Sequence, residues 1–416
     1  MVYFNISVGI HFCGKMCKKE IAMKLKQILK SIALVSVITL SLGAMPVQAG
    51  NTVNERENPN VLTSETSINN TYETTNTTTN NTTNTTTGTD TTSGSTGTST
   101  SSGTTSTDTY ISELTGLPIA ASLQNQRPIA VMVDNERRAL NHYGVSEADI
   151  VYEMMNSTKN GRITRLMCIY KDWNNIPVIG NIRSVRPTNI PLASEYNAVI
   201  IHDGGPYYIN AYFNKPYAAH LSAGFTRIPN GKPREFTEYV LAGEAARRMA
   251  AAGISTTYNE YRPGRDSHFL FHAGNTLLSS TYTVSSGRAV DLSAAFVHNS
   301  SKLMYNEATQ TYDYYEYGSL HVDAEDNAPL TFKNVILQNV SFAQLDTNGY
   351  MIYNYLGVGT GYYLTNGECI PIAWMKNNDT LITRYFDVNG NEIFINPGKT
   401  YIGLVPTDYW DGIVIR

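Results

Sequence analysis

The sequence has few cysteines and few charges for its length. Only four cysteines occur in 416 residues, and two of them, Cys13 and Cys17, lie near the N-terminus. This number excludes a fold that depends on a dense set of disulfide bonds. Charged residues make up 16% of the chain, below the roughly 25% of an average soluble domain. Together with 28 tyrosines, this composition favours a secreted, β-rich protein over a cytosolic enzyme.

The sequence also lacks an excess of basic residues. Without the six Lys and one Glu of residues 1–49, the chain has 25 basic and 34 acidic residues, a net charge of −9. Because a nucleic-acid partner requires a cationic face opposite its phosphates, this charge argues against nucleic acid. It equally argues against simple electrostatic docking on an anionic membrane.

No apolar run is long enough to cross a bilayer. The run Ile32–Leu42 falls short of the ~20 residues that a spanning helix needs. It follows three lysines and precedes small residues that end at Ala49, which is typical of a signal peptide over residues 23–49. We therefore expect a secreted or cell-surface protein without a transmembrane helix after cleavage. Residues 1–22 fit neither a signal nor a domain and indicate a misassigned start codon.

Residues 50–109 contain little that a folded core would bury. From Asn69 to Thr109 the sequence is almost entirely Thr, Asn, Ser and Gly, so burial cannot offset the entropy lost on folding. We predict a disordered linker. A flexible chain of this length has a root-mean-square reach of roughly 40 to 45 Å, which suits a spacer.

The remaining sequence predicts two folded domains. Residues 111–256 alternate strand-like apolar runs, such as Arg127–Asn135, with helical patterns, the longest from Thr237 to Gly253. Thr188 is in position to cap a short helix as well. An α/β or α+β N-terminal domain follows from this alternation.

The second half predicts a mostly antiparallel β domain over residues 290–410, joined to the first by a connecting segment, 257–289. Its short apolar runs are separated by turn residues, and Asn366-Gly367 is a typical hairpin dipeptide. The glycine-rich segment Gly357–Gly361 lacks the lysine of a phosphate-binding loop and is interpreted as a hairpin connection.

The sequence contains a series of short motifs: Leu114–Pro118, Arg127–Asn135, Ala148–Glu153, Ile163–Arg165, Gly180–Pro187 and His202–Gly205, followed by Asn334–Ile336, Trp374–Lys376, Asp387–Gly390 and Asn396–Ile402. Taken in this order, they resemble the YerB-like family of bacterial envelope lipoproteins, catalogued as domain of unknown function 3048. The resemblance covers nearly everything from 111 to 406, and it implies an envelope location but no activity. One departure is the absence of a lipobox cysteine, since the corresponding region reads Leu42-Gly43-Ala44-Met45.

Polar side chains at the ends of the predicted strands form the candidate site. Arg183 and Arg186 precede a helix start, where two guanidinium groups could meet one anion. The other candidates follow or end strands, the usual place for functional groups in α/β sheets. The alternative is a set of structural ion pairs and turn caps. The candidate ligand-binding residues are Asp134, Glu153, Arg165, Arg183, Arg186, His202 and Asp203.

Other constellations are weaker. His268 and His272 lack the glutamate of a zinc-binding helix motif, and His321 with Asp323 is interpreted as a solvated contact on one strand face. No metal ligand set and no cofactor motif is recognised. Cys168 and Cys369 are interpreted as buried thiols, with a single disulfide bond as the alternative.

Two classes of function remain open. The first is a binding module that holds an anionic ligand, such as a cell-wall polymer or peptide. The second is a hydrolase or transferase acting on cell-wall material, with Asp134 or Glu153 as general base and His202 as acid or base. In that mechanism Arg183 and Arg186 would stabilise developing negative charge. Binding is favoured, because no recognised nucleophile completes a mechanism.

Overall fold

Strands far outnumber helices in the computed structural model, which describes residues 108–263 and 267–416. The predicted signal peptide and nearly all of the predicted linker lie outside these residues. Among the described residues, no helix has the length and apolarity to cross a bilayer. The protein is therefore mostly β.

The N-terminal part contains eleven short strands and all three α-helices of the described residues. The helices are α1 (Asn189–Ser194), α2 (Asn210–Phe213) and α3 (Glu244–Ala251). The strands are β1 (Thr109–Ile111), β2 (Pro118–Ala120), β3 (Ile129–Asp134), β4 (Ile150–Met155), β5 (Thr164–Tyr170), β6 (Val178–Gly180), β7 (Val199–His202), β8 (His220–Ser222), β9 (Thr226–Arg227), β10 (Glu238–Leu241) and β11 (Leu270–Phe271).

The C-terminal part consists of strands and one 3₁₀ segment, Thr407–Gly412. The strands are β12 (Ser285–Ser286), β13 (Ala289–Asp291), β14 (Lys302–Asn306), β15 (Thr311–Glu316), β16 (Ser319–Leu320), β17 (Thr331–Phe332), β18 (Asn334–Val340), β19 (Phe342–Gln344), β20 (Met351–Tyr353), β21 (Gly357–Thr365), β22 (Glu368–Lys376), β23 (Arg384–Phe386), β24 (Phe394–Ile395), β25 (Thr400–Pro406) and β26 (Val414–Ile415).

One eleven-stranded sheet combines strands from both predicted domains. Its order is β12-β22-β21-β18-β25-β4-β5-β3-β7-β8, with β23 paired to β22. The strand β25 lies parallel to β18 on one side and to β4 on the other, and β3 lies parallel to β7. The strand β5 runs antiparallel to both of its neighbours. The carboxyl ends of β3, β4 and β7 therefore meet at one edge.

Both faces of this sheet are buried. On one face Val133 and Leu166 belong to a core that includes Tyr312 and Phe332 of the smaller sheet β16-β15-β14-β13-β26, to which β17 is joined. On the other face Met132 packs in a second core with the residues of α1 and with Tyr385. Burial on both faces explains why the strand β3 is a continuous apolar run.

The helix predicted from Thr237 to Gly253 is confirmed only in its second half. Its first half is strand β10, in which Glu238 pairs with Arg227 of β9, and only Glu244–Ala251 is helical. The Glu238 carboxylate is buried and accepts a hydrogen bond from the backbone of Phe225. Tertiary pairing thus outweighed the helical spacing of Val240 and Leu241.

The glycine-rich segment Gly357–Gly361 is not a hairpin connection but the start of strand β21. Here glycine is required by close packing, since a Cβ at Gly361 would lie 2.3 Å from the Leu337 carbonyl oxygen. The hairpin predicted at Asn366-Gly367 does connect β21 with β22, and both residues have positive φ. Cys168 and Cys369 are free, buried thiols, so the interpretation without a disulfide bond is confirmed.

Candidate functional site

Two arginines contact one buried carboxylate at the carboxyl end of β3, and a third arginine lies nearby. Asp134 is the last residue of this strand and stands directly opposite Arg165 of β5. Arg165 Nη2 lies 3.7 Å and Arg183 Nε lies 2.5 Å from the same atom, Asp134 Oδ2. Because Asp134 is only 1% exposed, water cannot replace these partners. We call Asp134, Arg165, Arg183 and Arg186 the arginine cluster.

The segment after β6 places Arg183 beside Asp134. The backbone N–H of Arg183 donates to the Met132 carbonyl, and the neighbouring Ile182 forms an antiparallel β-bridge with Val133. The segment therefore lies along the end of β3. The outer nitrogen of Arg183 contacts Glu235 at 2.5 Å, where both side chains reach solvent.

Arg186 has no carboxylate partner among the described residues. Its Nη1 donates to the Val185 carbonyl at 3.0 Å and its Nε to the Asn156 carbonyl at 3.3 Å. The guanidinium lies over the ring of Tyr350, 5.0 Å from the ring centre. Burial, followed by the charge of Arg165, lowers the pKa of Arg186 to about 9. Its charge is therefore the least compensated in the cluster.

The electrostatics of the cluster follow from its excess of cations. Burial alone would raise the pKa of Asp134, but the charges of Arg165 and Arg183 outweigh burial and hold this pKa below its usual value. Burial lowers the pKa of Arg165. The Arg165 Nε is buried and has no hydrogen-bond partner. The site is thus rich in donors and short of acceptors.

Glu153 does not join the cluster. It lies on β4, next to β5, but it pairs with Leu166 and its side chain enters the opposite face of the sheet. Four hydroxyl groups donate to its fully buried carboxylate. Burial raises the pKa of Glu153 against the lowering effect of these hydrogen bonds. The donors are Thr164 and Ser301, both at 2.7 Å, Tyr401 at 2.7 Å and Tyr314 at 3.0 Å.

His202 and Asp203 also have partners of their own. Nδ1 of His202 lies 2.8 Å from the Gly204 carbonyl oxygen and Nε2 lies 3.0 Å from Nδ1 of His220. Burial lowers the pKa of His202 to about 4, so the ring is neutral at pH 7. Asp203 contacts Arg227 at 3.2 Å, and Arg227 also contacts the buried Glu238. The structure therefore gathers Asp134, Arg165, Arg183 and Arg186, whereas the side chains of the other three candidates bond elsewhere. Asp203 still touches the cluster through its backbone, since its N–H donates to the Arg183 carbonyl at 3.0 Å.

Sequence reasoning missed Glu238, a buried carboxylate that contacts Arg227 together with Asp203. Burial, and then the proximity of Asp203, raise the pKa of Glu238 to about 7. The sequence did not indicate this role of Glu238, because Glu238 was placed in a helix and its strand partner Arg227 in no element. A strand assignment would have put Glu238 and Arg227 opposite each other.

The interpretation of His321 and Asp323 as a solvated contact was wrong. Both side chains are buried. Asp323 accepts hydrogen bonds from the backbone of Gly144, Val145 and Ser146, at 2.6 to 3.0 Å. His321 lies beside Glu316, and these two residues with His142 form the buried group whose ligand atoms are spaced for a metal ion.

The arginine cluster can bind an anion through its side chains. The N–H of Arg186 donates to the Asn189 side chain, and the N–H of Val185 donates to the Gly204 carbonyl. The N–H groups of Val185 and Arg186, which precede α1, are therefore already bonded within the protein. Guanidinium groups remain, and they suit carboxylate or phosphate oxygens.

Comparison with known families decides the relationship suggested by the motifs. Two domain descriptions match the chain: "Protein of unknown function (DUF3048) N-terminal domain" over residues 114–255 and its C-terminal counterpart over residues 292–402. The chain belongs to the DUF3048 family. Every residue of the arginine cluster lies within the N-terminal DUF3048 match.

A relative and a solved structure extend this result. The chain is 24% identical over 304 residues to the Bacillus subtilis protein named "Putative lipoprotein YerB", covering 70% of this chain and 85% of that protein. The crystal structure of the YerB protein from Bacillus subtilis matches with a TM-score of 0.62 and 22% identity. It covers 74% of this chain and 99% of the solved chain, so the DUF3048 fold is common to both.

Proposed function

We propose that this DUF3048 protein is exported to the cell envelope, where the arginine cluster binds an anionic ligand such as a wall polymer or peptide. The observation that carries this proposal is the charge imbalance at the cluster. Three guanidinium groups, of Arg165, Arg183 and Arg186, stand against two carboxylates, the buried Asp134 and the more exposed Glu235. Arg186 forms no ion pair with a described residue.

The position of the cluster supports the same conclusion. Asp134 ends β3 and Asn156 follows β4, and the carboxyl ends of strands are where α/β proteins commonly bind ligands. Arg183 is 25% exposed, so a ligand from solvent can reach it. The unpartnered Nε of Arg165 offers a further buried donor.

Envelope location rests on sequence features and on the name of the relative. That name contains the word lipoprotein, whereas this chain has no lipobox cysteine. Export with cleavage after Ala49 would leave residues 50–109 as a spacer before the folded part. Residues 111–256 would then form an α/β domain that carries the cluster at the ends of its strands.

A hydrolase or transferase has less support than binding. That mechanism needs a base and an acid within reach of one reacting group. Glu153 points to the other face of the sheet, and His202 is held by Gly204 and His220. Asp134 is held by two arginines, which keep its pKa low and make it a weak base.

Fractionated wall material provides the test. The purified protein should be retained on anionic fractions and not on the same fractions after their anionic groups are removed. Arg186→Gln should weaken retention, whereas Arg288→Gln, at an exposed pair with Glu307, should not. Equal retention on neutral fractions would contradict the proposal. New soluble products after incubation would instead support the hydrolase.

A further inference from the structure

Three buried side chains form a group that the arginine cluster does not use. His142 lies between β3 and β4, Glu316 ends β15, and His321 follows β16. All three are buried, and one ligand atom from each lies within 4.8 Å of the others. The two imidazole rings are 5.0 Å apart, centre to centre.

The hydrogen bonds of this group leave acceptor atoms without donors. The Nε2 of His142 contacts the Asp134 carbonyl oxygen, which only accepts, so Nε2 carries the proton and Nδ1 presents a lone pair. The Nδ1 of His321 lies 2.8 Å from Glu316 Oε1. Three buried atoms of the group have no hydrogen-bond partner: His142 Nδ1, His321 Nε2 and Glu316 Oε2.

Such a shortage of donors is unusual in a folded interior. Most buried polar atoms are hydrogen-bonded, and leaving one unpaired costs about 1 to 3 kcal/mol. Three in one group call for a partner that accepts electron pairs. A metal cation is such a partner, and two imidazoles with one carboxylate form a common zinc ligand set.

We propose that His142, Glu316 and His321 bind a divalent transition-metal ion, with Zn²⁺ as the best match. His142 coordinates the ion through Nδ1, and the Asp134 carbonyl orients its ring, as outer partners of metal-bound histidines do. Three protein ligands leave the fourth position of a tetrahedral zinc ion for a water molecule.

The site links parts of the chain that are distant in sequence. His142 lies in the N-terminal DUF3048 match, and Glu316 and His321 lie in the C-terminal one. The segment after His321 already contacts the loop of His142, since the N–H of Ala324 donates to the His142 carbonyl. A bound ion would therefore tie the two halves together.

Zinc content and thermal stability test the proposal. The full-length chain is stripped with a chelator, loaded with ZnCl₂ and desalted, and zinc per chain is measured by mass spectrometry. We expect His142→Gln, Glu316→Gln and His321→Gln to bind one zinc fewer than the wild type. Zinc bound by Cys13 and Cys17 is the same in every variant, so it cancels when the zinc content of a variant is subtracted from that of the wild type. His272→Gln, at a partly buried histidine elsewhere, is the matched control and should keep the wild-type content.

Stability gives a second measurement on the wild type alone. Zinc should raise the melting temperature by several degrees, because a ligand that binds only the folded state stabilises it. If the variants do not fold, Co²⁺ loading of the wild type should give the visible absorption of a tetrahedral site with nitrogen ligands. The proposal fails if the stripped wild type gains neither a metal nor stability. It also fails if the three variants keep the wild-type zinc content, and in both cases the buried hydrogen bond between His321 and Glu316 explains the group.

Discussion

Asp134 and Arg165 stand directly opposite each other on neighbouring antiparallel strands, with Arg165 Nη2 3.7 Å from Asp134 Oδ2. The pair is almost fully buried, and Arg183 contacts the same oxygen from the solvent side. A buried ion pair matters most when one partner is removed, because the other charge is then left without compensation.

Asp134→Asn should therefore destabilise the protein strongly. We expect a loss of about 3 to 5 kcal/mol in the free energy of unfolding, since the charge of Arg165 stays buried without its partner. Urea denaturation gives this quantity. Asp291→Asn is the matched control, because Asp291 forms an exposed pair with Lys302 and should lose about 1 kcal/mol or less. Equal losses in the two variants would contradict the structural role of Asp134.

The stability of the Glu153→Gln variant relative to the wild type should increase as pH rises. Burial raises the pKa of Glu153, so the folded state binds this proton more tightly than the unfolded state does. The resulting stabilisation is complete below the ordinary pKa and is lost as pH rises through the folded pKa. Gln cannot ionise, so its stability relative to the wild type should increase by up to ~1.4 kcal/mol per pH unit in this window. Urea denaturation at a series of pH values measures the trend, and a constant difference would show that the carboxyl is not perturbed.

Gly361→Ala should destabilise the sheet. Its Cβ would lie 2.3 Å from the Leu337 carbonyl oxygen, so the pairing of β18 with β21 must shift. Overpacking of this kind typically costs about 1 to 3 kcal/mol. Gly274→Ala is the control, because nothing lies within 4 Å of its added Cβ. The two melting temperatures should differ clearly, and similar values would show that β21 can relax.

The two thiols of the folded part should be unreactive until the protein unfolds. Burial raises the pKa of both Cys168 and Cys369 to about 12, so neither forms the reactive thiolate at neutral pH. A thiol reagent should label both only after denaturation, as peptide mass spectrometry would show. Labelling of either cysteine in the native protein would indicate that its strand opens.

Local sequence patterns predicted several elements correctly. The continuous apolar run at Ile129–Asp134 is a buried strand, and Asn366-Gly367 makes the predicted hairpin. These features depend on neighbouring residues alone. The strand Glu238–Leu241 was missed because its pairing with β6 and β9 depends on distant residues.

In the candidate site, too, the sequence predicted local features but not those that depend on distant residues. The sequence placed Asp134 and Arg183 at element ends, but sequence could not give the face of β4 from which Glu153 projects. That face depends on the register between β4 and β5, where a shift of one residue would reverse it. His142 and His321 were not linked, because 179 positions separate them and only the fold brings them together.

The most direct test of the account is the affinity of the Arg183→Gln, Arg186→Gln double variant for the anionic wall fraction, measured by calorimetry beside the wild type and Arg288→Gln. We predict that the double variant loses binding while Arg288→Gln keeps it. The double variant should also keep a melting temperature near that of the wild type, since Arg165 still pairs with Asp134. Arg186→Lys, which keeps the charge but not the planar donor group, should bind with intermediate affinity. A folded double variant that binds the fraction as tightly as the wild type would contradict the proposed anion site.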